Sequence, residues 1–367
     1  RRVLVVAMAD SIHTARWLTQ FRDEAIDVEL FPSTPHRRVH PEISMLEKSE
    51  GPLRVRLTPG LRYMSVLVSI GDLLLADRVR RTWYRYRARE LRPDVIHAME
   101  TQHAGYLLET RSDRASTARV VLSVWGSDFV VFGRNARHRP RIMALLGVVD
   151  RLVVECSRDE EFARSHGYAG PPAIRISASG GLDPTVETRP FTKRRGLLIK
   201  GYSGFMGMGP AALRAAFRSR ELLRGHEVTV FSAGARTRVL AAWMRWVGKM
   251  EVTVFGKHAL THGQMLELFG RSRAVIALSR SDGFPGVVRE AAMQGTYLVH
   301  SDTACLRDWI PNMDDLTVVD ARLQSTIDRD VRRGLERALL REAETEAATA
   351  DLRHHAVMHW SRREMRD

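Results

Sequence analysis

Short, mostly apolar runs alternate with helical segments along this chain, and the alternation runs through twice. Residues 3–7, 28–31, 95–98, 120–124 and 152–156 read as buried strands, with helices such as 14–24 and 102–109 between them. A loop-rich stretch at 177–192 then holds Gly180, Gly181, Pro184 and Pro190. Beyond it come strands at 196–200, 227–231, 252–255, 274–278 and 297–300, separated by helices at 211–224, 238–246, 262–269 and 287–294. Strands without polar alternation need cover on both sheet faces, so the class implied is α/β with doubly wound, parallel, Rossmann-like sheets. At 367 residues the chain exceeds what one core holds, and two such domains are expected, at 1–185 and 186–345. A charged helical segment, 346–367, follows and is expected to pack back on the first domain.

The strand at 274–278 leads into Ser281-Asp282-Gly283-Phe284-Pro285-Gly286-Val287-Val288-Arg289-Glu290. A carboxylate, a tight turn and a second carboxylate at a helix start fall at the carboxyl end of a parallel strand, where open α/β sheets bind ligands. Two acids seven residues apart can grip a polyhydroxylated ligand at two points. The bland alternative is a surface turn with Glu290 as an ordinary first-turn acid.

This segment resembles the signature of glycosyltransferase family 4, a retaining family of GT-B fold in which two Rossmann-like domains face each other across a cleft. The resemblance implies that Asp282 sits by the transferred sugar and Glu290 by the ribose of a nucleotide-sugar donor. Asp282 is one methylene shorter than the Glu usual there. It also implies that Gly283, Phe284 and Pro285 line the donor site. Ser11-Ile12-His13-Thr14-Ala15-Arg16-Trp17 at the end of the first strand looks like a subgroup of the same family that makes surface polysaccharides. Ser11 or Thr14 can cap the next helix, and His13 can face a ligand. At Trp125-Gly126-Ser127-Asp128 many members carry His-Gly; Trp125 stands in the His position here, where an indole can stack on a sugar or pack in the core. Gly126 allows close backbone approach, and Asp128 can bond hydroxyls or cap the next helix. Ser11, His13, Trp125, Gly126 and Asp128 are the acceptor or sugar candidates.

Lys200-Gly201-Tyr202-Ser203-Gly204-Phe205-Met206-Gly207-Met208-Gly209-Pro210 joins a strand to a helix. Its glycines free backbone amides for phosphate oxygens, and Lys200 can neutralise a leaving diphosphate. Gly201, Ser203 and Gly204 are the donor-loop candidates. The family's Arg falls on Met208, with Arg214 as its substitute. Lys257 and His258 fall where the family's loop runs beside the base.

The resemblance implies a retaining hexosyltransferase that moves sugar from a nucleoside diphosphate to a hydroxyl acceptor, a lipid-linked saccharide or polymer, without cofactor or metal. Cys156 and Cys305 lack metal-ligand spacing. Lys200, Asp282 and Glu290 are the residues expected to carry the reaction. Net charge is +14, from 57 Lys and Arg against 43 Asp and Glu. Together with the cation–aromatic run at 78–89, it makes an anionic membrane surface or nucleic acid a candidate partner, an Arg-rich composition without function being the alternative. No apolar run reaches the roughly 18 residues that cross a bilayer. A cytoplasmic protein, peripheral on the inner face of the cell membrane, is the expectation. Three rival readings stay open: a transferase acting on nucleic acid or another anionic polymer, a non-catalytic GT-B-like binding protein, and a GT-B epimerase.

Overall fold

The structure is a computed structural model. It describes residues 1–75, 78–108, 118–177, 180–182, 188–257, 259–303, 305–361 and 364, apart from the side chains of residues 63 and 65. The chain divides into two compact units, 1–181 and 182–364.

The first unit runs β1 (Arg2–Ala7), α1 (Ile12–Thr19), β2 (Asp27–Pro32), α2 (Pro41–Glu47), β3 (Arg54–Leu57), α3 (Leu61–Leu75) and α4 (Arg78–Leu91). It continues with β4 (Val95–Met99), β5 (Arg119–Ser123), α5 (Arg139–Leu146), β6 (Arg151–Val154), α6 (Ser157–Ser165) and β7 (Ile174–Arg175). Its sheet has the order β3-β2-β1-β4-β5-β6-β7, with every pairing parallel. Alternate β1 residues feed two cores. Leu4 and Val6 pack with Tyr84 and Ala88 of α4, while Val5 and Ala7 pack with Ala15 and Leu18 of α1. That double burial is why β1 is apolar from Val3 to Ala7. Glu29 is the exception inside β2; it is buried and held by Arg87 of α4 at 2.9 and 2.6 Å and by the Thr58 hydroxyl at 2.9 Å. This charge-assisted clamp ties α4 to the sheet.

The second unit runs β8 (Gly196–Lys200), α7 (Gly209–Arg218), β9 (Glu227–Ala233), α8 (Ala235–Trp246), β10 (Val252–Gly256), α9 (His262–Gly270) and β11 (Ser272–Ala277). Then come α10 (Gly286–Met293), β12 (Tyr297–Ser301), α11 (Leu306–Trp309), β13 (Thr317–Val319), α12 (Gln324–Leu340) and α13 (Glu342–His359). The order β10-β9-β8-β11-β12-β13 is again parallel throughout. Both sheets are of the doubly wound kind, with the chain reversing its direction of travel at β1/β4 in one and at β8/β11 in the other.

Three expectations change. The helix expected at 102–109 is, among the described residues, only a 3-10 turn at Gly105–Leu107. Glu100 adopts φ 79° and its carboxylate accepts the amides of Gln102, His103 and Ala104, so the side chain takes donors a helix would need. The first helix runs 12–19 and not 14–24: Ser11 caps it early at His13 N, 3.2 Å away, and after Thr19 the chain tightens into turns, with Phe21 N donating to Leu18 O and Arg22 N to Thr19 O. The last helix is not a segment apart. α13 packs on α10 and β12, Arg353 Nε donates to Met293 O at 3.0 Å, and Leu182 bridges to Ser361 in parallel, all inside the second unit.

Candidate functional site

In the second unit the reversal at β8/β11 places two loops side by side at the carboxyl ends of those strands, the usual ligand position in such sheets. One loop follows Lys200 and the other follows β11. They are joined by backbone: Met208 N donates to Leu278 O at 3.2 Å, Arg280 N to Met206 O at 2.9 Å, and Gly207 bridges Ser279. The glycine loop turns tightly because α7 starts against the end of β8. A Cβ on Gly209 would lie 2.5 Å from the Gly201 carbonyl carbon, so no other residue fits. α7 has no side-chain cap and no acid in its first turn, and Pro210 stands at its start. Its first-turn amides therefore meet no competing carboxylate from the helix itself.

Lys200 is half-buried at the end of β8, and Asp282 is half-buried in the second loop, its Oδ1 accepting from Gly283 N at 3.1 Å. His300, at the end of β12, is buried. Burial lowers its pKa to about 4, Asp282 pulls it up and Lys200 pushes it down, so both charges lie within electrostatic reach of one imidazole. Its Nδ1 lies 2.8 Å from Ser301 O. The Ser301 hydroxyl donates to Ser279 O at 2.7 Å and accepts from Ser279 N at 2.9 Å, which ties the loop after β11 to β12.

Glu290 lies in the second turn of α10, not the first, since the helix begins at Gly286. Its Oε1 is 3.1 Å from Nε2 of His262, the first residue of α9, which a Thr261–Gln264 capping box fixes in place. Phe284 is only 2% exposed; it stacks on Trp309 at 4.1 Å and 1°, meets Trp360 edge-on at 4.9 Å and lies under Arg289. Its side chain is therefore a packing wedge, and Gly283 and Pro285 are buried beside it. Gly201 is buried too, Ser203 is half-buried and Gly204 is exposed. Lys257 is exposed at the end of edge strand β10, Arg214 is exposed on α7, and His258 lies outside the described residues.

In the first unit the reversal at β1/β4 brings Ser11 and His13 to the carboxyl end of β1. The exposed His13 ring lies 5.3 Å from the Trp125 ring, which follows β5. The indole Nε1–H of Trp125 is buried with no acceptor among the described residues. Thr14 and Gly126 are buried. Asp128 is taken up by backbone. It is buried, and its Oδ2 accepts from Thr101 N and Trp125 N, both at 3.0 Å. Burial, and then the neighbouring Glu100, hold its pKa well above the carboxylate range; burial raises Glu100 to about 7. The pair clamps the turn after β4 to the turn after β5.

His262, His300 and Glu100 are the residues sequence reasoning missed. His300 is hidden inside a strand pattern, and Glu100 ends one. Thr261-His262-Gly263-Gln264 carries a readable capping box, but nothing in it points to Glu290.

Two parallel, doubly wound units with loops of this kind at their reversal points define a two-domain α/β architecture. The chain has the GT-B fold, and residues 82–154 match the family model described as glycosyl transferase 4-like. The family resemblance read in the sequence is met at that level. HepE from Anabaena, solved with UDP, is 12% identical with a TM-score of 0.68, over 100% of this chain and 97% of that one. TarM from S. aureus is 8% identical with a TM-score of 0.71, over 100% and 98%. Sucrose-phosphate synthase from Thermosynechococcus elongatus is 13% identical with a TM-score of 0.69, over 100% and 96%. No curated protein matches the sequence.

Proposed function

We propose that this protein transfers a sugar from a nucleoside diphosphate, UDP by likeness to the HepE complexes with UDP and UDP-glucose, to a hydroxyl acceptor with retention of configuration. The observation that carries this reading is the pairing of the Lys200 loop with the Asp282 loop at the β8/β11 reversal, with both side chains acting on His300. The barrier lies in breaking the anomeric C–O bond while charge builds on the departing diphosphate. Positive charge placed there beforehand lowers it most. In this reading Lys200 and the first-turn amides of α7 take the diphosphate, Asp282 orients the sugar, and Glu290, positioned by His262, takes the ribose. The leaving phosphate accepts the proton of the attacking hydroxyl, so no protein base is needed. No metal is assigned a role. His13 and Trp125 in the first unit are assigned to the acceptor, a lipid-linked saccharide or polymer of the cell surface, in keeping with the subgroup motif.

The test is titration with UDP-, GDP- and ADP-sugars, then turnover of two variants. Glu290→Ala is expected to weaken UDP-sugar binding by roughly 10-fold or more, the worth of a hydrogen bond to a charged group. Lys200→Ala is expected to lower kcat by about 10²–10³ with little change in binding. Product NMR reads the anomeric configuration. Unchanged binding and turnover in both variants would refute the assignment, and absence of UDP release from any sugar nucleotide would favour a non-catalytic binding protein.

A further inference from the structure

Each unit presents one helix face that is apolar where water is the expected neighbour, with exposed cations on or beside that helix. In the first unit α3 exposes Val66, Leu67, Ile70, Leu73 and Leu74, with Leu73 at 86% and Leu74 at 78%. At the helical repeat these five positions share an arc of about 120°. Val68 and Asp72 of the same helix are buried. Asp72 accepts the Arg80 amide at 2.8 Å and pairs with its guanidinium at 3.2 Å, so α3 is held with its leucines outward. Beside it Leu75, Val79, Trp83 and Tyr86 line a groove rimmed by Arg78. In the second unit α8 exposes Val239, Trp243, Trp246 and Val247, spaced i, i+4, i+7, i+8, with Trp246 at 89%. Arg236, Arg238, Arg245 and Lys249 are exposed on and just after that helix, which contains no acid.

Patches of this kind mark a binding surface. We infer that α3 with α4, and separately α8, are interfacial elements that lie on an anionic phospholipid bilayer. Aliphatic residues would enter the headgroup boundary, Trp and Tyr would sit at its polar edge, and arginines would meet lipid phosphates. No described helix is long and apolar enough to cross a membrane, so contact would be from one side. A second copy fits less well, because a self-complementary contact would set these arginines against their own copies. Nucleic acid fits less well too, because leucine and isoleucine offer bases no stacking face. The membrane surface expected at 78–89 is thus redrawn. Arg80 and Arg87 of that run face Asp72 and Glu29 inside the unit, and the insertion falls to α3 and α8.

The test is flotation of the full chain with vesicles of phosphatidylcholine alone and of phosphatidylcholine with phosphatidylglycerol. Binding is expected to the anionic vesicles only and to weaken with salt. The double variants Leu73→Gln/Leu74→Gln and Trp243→Gln/Trp246→Gln are each expected to lose roughly tenfold in partitioning. Leu323→Gln, exposed outside both helices, should lose nothing. All replaced side chains are exposed, so melting temperatures should match wild type, and Arg236→Gln/Arg245→Gln supplies an independent loss through charge alone. Absence of binding to anionic vesicles, or undiminished binding by both double variants, overturns the inference. So does a wild-type dimer that these variants dissolve, or DNA binding in place of vesicle binding.

Discussion

Replacing Asp128 with Asn separates a buried structural acid from a sugar ligand. Both backbone amides that Asp128 binds are taken by one oxygen, Oδ2, so an Asn carbonyl can keep both. Gln102 can rotate its amide to serve either the carboxyl or the new NH2 group. What the substitution removes is a titration. Burial, then Glu100, hold the Asp128 proton in the folded state well above the pH at which an unfolded Asp loses it. Between those two values the folded state carries the extra proton, so wild-type stability falls as pH rises, by about 1.36 kcal/mol per pH unit. Within that window the Asn variant should therefore gain on wild type as pH rises, with a slope of up to about 1.36 kcal/mol per pH unit. His97 and His300, each lowered to about 4 by burial, make both proteins more stable as pH rises toward the ordinary histidine range. They act alike in both and drop out of the difference. Urea unfolding followed by tryptophan fluorescence across this range measures it, and sugar-transfer turnover should stay at the wild-type level. A stability difference that does not change with pH would show Asp128 ionised throughout, and loss of turnover with unchanged stability would return it to the ligand site.

Trp360→Ala removes a wholly buried ring that Phe284 packs against, at a cost of about 3–5 kcal/mol. It should also weaken UDP-sugar binding, since Asp282 precedes the same wedge; thermal unfolding and titration read the two effects. Gly209→Ala forces a Cβ into the Gly201 carbonyl, which is backbone and cannot step aside. A loss of about 1–3 kcal/mol is expected in unfolding experiments.

The architecture was legible because central strands of a parallel sheet are apolar on both faces. Those at 3–7, 120–124 and 274–278 stand out in the sequence for that reason. The strands that escaped reading are β3, β7 and β13, all at sheet edges. β3 alternates exposed arginines with buried Val55 and Leu57, and β7 is two exposed residues long, so neither has an apolar run to detect. The Lys200 and Asp282 loops were legible from glycines and carboxylates after strands. Their partners were not, because the Glu290–His262 contact and the convergence on His300 are made between elements distant in sequence. The packing of Phe284 was hidden for a related reason: a turn motif names the residue but not the direction of its ring, and Trp309 and Trp360 decide that.

The wedge of Phe284 between Trp309 and Trp360 also sets an order of events during synthesis. A parallel-sheet unit can begin to collapse as its strands leave the ribosome. The turn bearing Asp282 lacks its back wall until residue 360 has emerged, so a nascent chain that already holds Lys200, Asp282 and Glu290 still lacks the packing that fixes the turn at Asp282. The turn after β11 would reach its packed form only once the helix ending at His359 has emerged.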